Sequence, residues 1–137
     1  MIKKTIKYED YEGNERKEDF YFNLNEAELT ELAMSRSGGL EQYARRIIAA
    51  QSEPELIALF KELILISYGE KSDDGKRFVK VKDGHRLSED FSQTEAYSTL
   101  FMELATDADA AAKFFNGLIP EKLREKVSNY QKEQSMN

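Results

Sequence analysis

The sequence predicts a mainly α (α+β) fold: a single helical domain carrying an N-terminal β-hairpin. The predicted domain spans 1–130, with the hairpin in 1–24 and helices in 25–130, and 131–137 forms a flexible C-terminal tail. Three observations predict it. Strict alternation of apolar and polar residues is strong only near the N-terminus. Apolar residues recur at three- and four-residue spacing through most of the rest. Capping signals, a Ser, Asn or Asp near a following Glu or Ala-rich run, punctuate those stretches.

Residues 2–9 and 17–24 place Ile2, Ile6 and Tyr8, then Phe20, Phe22 and Leu24, on alternate positions, with Glu12-Gly13-Asn14 as the turn between them. Asn25-Glu26-Ala27-Glu28 is a capping box that opens a helix bearing Leu29, Leu32 and Ala33, and Gly38-Gly39 ends it. A second helix places Leu40, Tyr43, Ala44, Ile47 and Ile48 on one face. Ser52-Glu53-Pro54-Glu55 opens a third, Leu56 to Ile66, which is apolar nearly all round and is expected to be the central helix, with Leu59, Phe60, Leu63 and Ile64 as core. Tyr68-Gly69 stops it. The polar stretch Glu70 to Arg86 contains a short alternation, Arg77 to Val81, that reads equally as a brief extension or a loop. Ser92-Gln93-Thr94-Glu95 caps a helix with Tyr97, Leu100, Phe101 and Leu104, and Asp107 caps the next, which loosens at Asn116-Gly117. Pro120 begins a last helix whose stripe is Leu123, Val127 and Tyr130.

Composition removes several functions. The chain has 137 residues, 20 Lys and Arg against 26 Asp and Glu, a net charge of −6, no Cys and one His. Thiolate metal sites, iron–sulfur clusters and thiol redox chemistry lack their residues, and one imidazole cannot make a two-histidine metal site. No cofactor or metal is expected. An acidic balance argues against nucleic acid as a partner, because phosphate neutralisation needs a concentrated basic face. Leu63 to Ile66 is the longest apolar run, far below the roughly 20 residues that span a bilayer. With no export signal at the N-terminus, an intracellular protein without a membrane contact is expected.

The candidate chemical constellations each have a simpler structural reading. His85 lies in a charged loop, Lys82 to Arg86, with nothing to orient it as a base. Ser72-Asp73-Asp74-Gly75 lacks the alternating ligand spacing of a calcium loop and reads as a tight turn. Asp107-Ala108-Asp109 reads as a helix N-terminus. The glycines do not form a phosphate loop. Arg45 and Arg46, with Glu41 four residues before Arg45, read as ordinary helix-surface pairing. No catalytic residue is assigned, and a non-enzymatic role follows.

The aromatic and apolar stripes of the last two helices carry more information. Phe114 and Phe115 are adjacent and project about 100° apart on a helix, so one buried face serves only one of them fully. The last stripe is narrow for a core helix but wide enough to dock on another chain. Phe115, Leu118, Leu123, Val127 and Tyr130 are therefore the candidate partner-binding residues.

The blocks Ile66-Ser67-Tyr68-Gly69-Glu70-Lys71-Ser72-Asp73-Asp74-Gly75-Lys76-Arg77-Phe78-Val79-Lys80, Phe91 to Leu104 and Ala110 to Pro120, in that order, resemble the tail assembly chaperones of long-tailed bacteriophages and prophages. The resemblance covers about residues 56–120. It implies a protein of the bacterial host cytoplasm that binds the long tape measure protein, assists tail tube assembly through the tail tube protein, self-associates around its client and is absent from the mature virion. The competing expectations are a structural head–tail or tail component and a small phage regulator that binds a host protein.

Overall fold

The computed structural model describes residues 1–35 and 57–119. The expected helix of residues 40–48, the Gly38-Gly39 stop, the box at 52–55, Arg45 and Arg46, the helix from Pro120 and the tail lie outside the described residues, as does the Leu59 side chain.

The order of elements is β1 (Ile2–Glu9), β2 (Glu15–Phe22), α1 (Glu26–Met34), α2 (Ile57–Ser67), β3 (Tyr68–Lys71), β4 (Phe78–Val79), β5 (Val81–Lys82), β6 (His85–Arg86), α3 (Leu87–Ser92), α4 (Glu95–Thr106) and α5 (Ala108–Leu118). Strands β1-β2-β3-β4 form an antiparallel sheet in that order, and β5 and β6 form a separate hairpin. The class is therefore mixed α+β, with 27% of the described residues in strands, and the mainly helical expectation is corrected. The N-terminal hairpin is as expected, although β2 ends two residues earlier. What changes the class is the stretch from Tyr68 to Arg86, which forms four short strands.

Each addition has a local cause. Helix α2 ends at Ser67, whose hydroxyl donates to the carbonyls of Leu63 and Ile64 at 2.7 and 3.1 Å. The chain then passes directly into β3, which extends the hairpin by pairing Tyr21 with Gly69 and Phe22 with Tyr68. Gly69 is needed there because a Cβ would stand 2.6 Å from the Phe78 ring and 2.7 Å from the Val79 carbonyl oxygen. The Ser72 to Arg77 turn between β3 and β4 is the tight turn expected: Gly75 takes φ +73°, and the Asp74 carboxylate accepts from the Ser72 hydroxyl and the Lys76 amide. Asp83 and Gly84 both have positive φ, 51° and 82°. That is the backbone of a two-residue turn whose twist matches the strands it joins.

The hairpin register puts Ile2, Ile6, Tyr8, Phe20 and Phe22 on one face, against the helices. Helix α4 runs along β1, held by Lys4 to Glu103 at 3.1 Å. Between sheet and helices lies an aromatic cluster centred on Phe91 of α3. Its ring stacks on Tyr68 with centroids 4.2 Å apart and planes at 9°, and meets Phe20, Phe22 and Tyr97 at 5.2, 5.8 and 5.8 Å. Burial pushes the Tyr68 phenol up to about 12. Phe60, Leu63 and Ile64 of α2 are buried, as the sequence led us to expect.

Caps fix the ends of several helices. Asn25 and Glu28 form the reciprocal box at α1, with bonds of 2.8 and 2.9 Å. Glu28 also meets Lys80 at 2.6 Å, which ties α1 to the segment between β4 and β5. Thr94, rather than Ser92, caps α4 by accepting from the Tyr97 amide. Ser92 instead closes α3, a helix of six residues that periodicity alone does not reveal. Asp107 caps α5 as expected, accepting from the amides of Asp109 and Ala110.

Candidate partner-binding surface

Helix α5 is where the partner-binding candidates begin. It continues unbroken through Asn116-Gly117 to Leu118, instead of loosening there. Gly117 lets it lie close to β1, since a Cβ at that position would stand 2.8 Å from Ile2 Cδ1. Ala111, Phe114, Phe115, Leu118 and Ile119 are all buried. Phe114 and Phe115 are therefore both covered, on two faces of one helix. The helix is packed on more than one side: Phe114 meets Phe22 edge-on at 5.3 Å, α4 lies alongside, and Phe115 is fully buried. Two ring directions 100° apart are both served by core when a helix sits in such a corner.

Of the five candidates, Phe115 and Leu118 are thus inside the core, at 0% and 3% exposure. Leu123, Val127 and Tyr130 lie outside the described residues. What the structure adds is the base from which they continue: the chain leaves α5 at Ile119, itself buried, beside the start of β1.

Along the first part of α5, where it faces β1 and α4, the surface has a cleft of about 400 Å³. Ile2, Ala110 and Phe114 supply its apolar part, and Lys4, Glu103 and Lys113 stand among the charged residues around it. Sequence reasoning did not find it, because Ile2 and Ala110 meet only through the packing of α5 on β1. The surface offers shape and mixed charge, with no converging set of reactive groups.

The other titratable groups are explained by local structure. At the hairpin turn, the Arg16 guanidinium and the amides of Asn14 and Glu12 hold the Asp10 carboxyl down at about 2. Tyr8 donates to Glu18, and the carboxylate raises the phenol. His85 is exposed as expected, though it sits on β6 instead of in a loop. Its Nε2 lies 3.0 Å from Asp90, and that carboxylate raises the imidazole. With side chains 50% and 66% exposed, the pair is open to water and bonds no hydroxyl that would serve as a nucleophile among the described residues. Among those residues no group of three His, Asp or Glu could hold a metal ion, and no helix is long and apolar enough to cross a membrane.

Comparison with protein families decides what such a surface belongs to. The family model described as phage tail assembly chaperone matches residues 1–137, the whole chain. The chain belongs to that family. The match extends beyond the blocks at 56–120 that carry the sequence resemblance and takes in the N-terminal hairpin. No curated protein and no solved structure gives a significant match. A chaperone's work is binding, so membership in this family accords with a surface built of packed apolar side chains and charged rims.

Proposed function

We propose that this tail assembly chaperone binds the tape measure protein in the cytoplasm of the bacterial host, assists assembly of the tail tube, self-associates around its client and is absent from the finished virion. The full-length family match carries the proposal. The local geometry supports a particular division of labour. Phe115 and Leu118 anchor α5 in the core, and Leu123, Val127 and Tyr130, on the stretch that follows, contact client helices by helix-in-groove packing. The excess of carboxylates keeps a complex with an apolar client in solution.

Co-expression of the tape measure protein with Leu123→Glu, Val127→Glu and Tyr130→Glu variants tests this. Capture by affinity pull-down is expected to be lost while the circular dichroism spectrum is kept. Unchanged capture would remove these residues from the client surface. Mass spectrometry of purified virions is expected to find no copies of the chain, and several copies per particle would favour a structural tail component instead.

A further inference from the structure

The face of the sheet turned away from the helices carries charge of the opposite sign to the molecule as a whole. The register places Lys3 opposite Tyr21, Thr5 opposite Asp19, Lys7 opposite Lys17 and Glu9 opposite Glu15, and Lys71 follows on β3. Lys3, Lys7, Lys17 and Lys71 are exposed, and none of them makes an ion pair among the described residues. Lys7 and Lys17 face each other directly, an arrangement of like charges that weakens a strand pair. Helices α3 to α5, on the other side, hold five carboxylates and one lysine, Lys113. With Glu9, Glu15 and Asp19 on the same face, four lysines stand against three carboxylates, so this face is +1 in a chain of net −6, and the lysines on it are unpaired among the described residues.

We propose that this face is a docking surface for an acidic, extended segment of a protein partner. The spacing fits such a segment. Lys3 and Lys7 are four residues apart on one strand, so about 13 Å separates them along it, and an extended chain repeats the same interval between carboxylates at i and i+4. Nucleic acid fits less well. The aromatic rings on this face are already occupied, with the Lys71 ammonium 4.7 Å above Tyr21 and the Lys80 ammonium 5.8 Å from Phe78, so they do not offer bare faces for base stacking. Glu9, Glu15 and Asp19 on the same face would also repel a continuous run of phosphates, while a protein segment can match them with lysines of its own.

Fluorescence anisotropy with a fluorescein-labelled decapeptide of alternating Glu and Ser tests the proposal on the full chain at low salt. The double variant Lys3→Glu, Lys7→Glu is expected to bind at least tenfold more weakly. Lys61→Glu, on the exposed side of α2, is expected to stay within twofold of the parent protein. Amide shifts on titrating the unmutated protein are expected at Lys3, Lys7, Lys17 and Tyr21, a readout independent of how well the variants fold. Absence of saturable binding, an equal loss with Lys61→Glu, or shifts confined to α3 to α5 would overturn the proposal. Tighter binding of labelled oligo(dT) that is lost on Lys3→Glu would overturn it in favour of nucleic acid.

Discussion

Replacing Phe91 by Ala tests whether the sheet and the helical layer share one core. Phe91 is the largest residue of a six-residue helix that has no side-chain cap at its start, and with Leu87 it is one of the two residues that α3 buries. It is 2% exposed and touches Phe20, Phe22, Tyr68 and Tyr97, which come from β2, β3 and α4. Truncating a buried Phe costs about 3–5 kcal/mol, and the lost ring pairs put this site at the upper end because each is worth about 0.5–1.5 kcal/mol beyond area burial. At roughly 3 °C per kcal/mol for a chain of this size, the melting temperature should fall by about 10–15 °C. The assay is thermal and urea denaturation followed by circular dichroism. Phe91→Leu, which keeps most of the volume but none of the stacking, should lose about half as much. A loss below about 1 kcal/mol in Phe91→Ala would refute the reasoning, since that is the range of a surface substitution.

Two further outcomes are expected. Gly69→Ala forces a Cβ against the Val79 carbonyl, so it should destabilise by about 1–3 kcal/mol and expose the β3–β4 amides to hydrogen exchange; Gly75→Ala, with open space around it but φ +73°, should cost only about 1 kcal/mol. His85 is the single histidine, so its one imidazole resonance reports its titration directly: the midpoint should lie above the usual value of about 6.5 and return to it in Asp90→Asn. Because the folded value is raised, the stability this pair contributes is present below about pH 6.5 and is lost as pH rises through the higher folded value. A midpoint that Asp90→Asn leaves unmoved would contradict the contact.

The parts of the fold that the sequence made legible are those in which a local pattern and a tertiary requirement coincide. The alternation of Ile2, Ile6 and Tyr8 is readable because one face of β1 is buried. The Asn25 to Glu28 box is readable because both of its bonds are made within four residues. The strands after α2 were hidden for the opposite reason. Strands of two residues have no period to detect, and β3, with the sequence Tyr-Gly-Glu-Lys, is held by its neighbours and not by its own propensity. One local signal is present there: Asp83-Gly84 is a strong short-range hairpin dipeptide, and both of its residues take the positive φ it implies.

The candidate site shows the same division more sharply. Counting faces on an isolated helix left Phe115 without a place in the core, because that argument allows each helix a single packed side. Helix α5 instead lies in the corner between β1 and α4, and Gly117 sets its closeness to Ile2. Two faces are consumed, and Phe115 and Leu118 are spent on stability. A surplus apolar residue is therefore evidence for a partner only after every neighbour of its helix has been counted. Leu123, Val127 and Tyr130 lie outside the described residues, and their assignment to the client rests on the proposal above. The outward sheet face needs no such count, since its evidence is charge that the described molecule leaves unpaired.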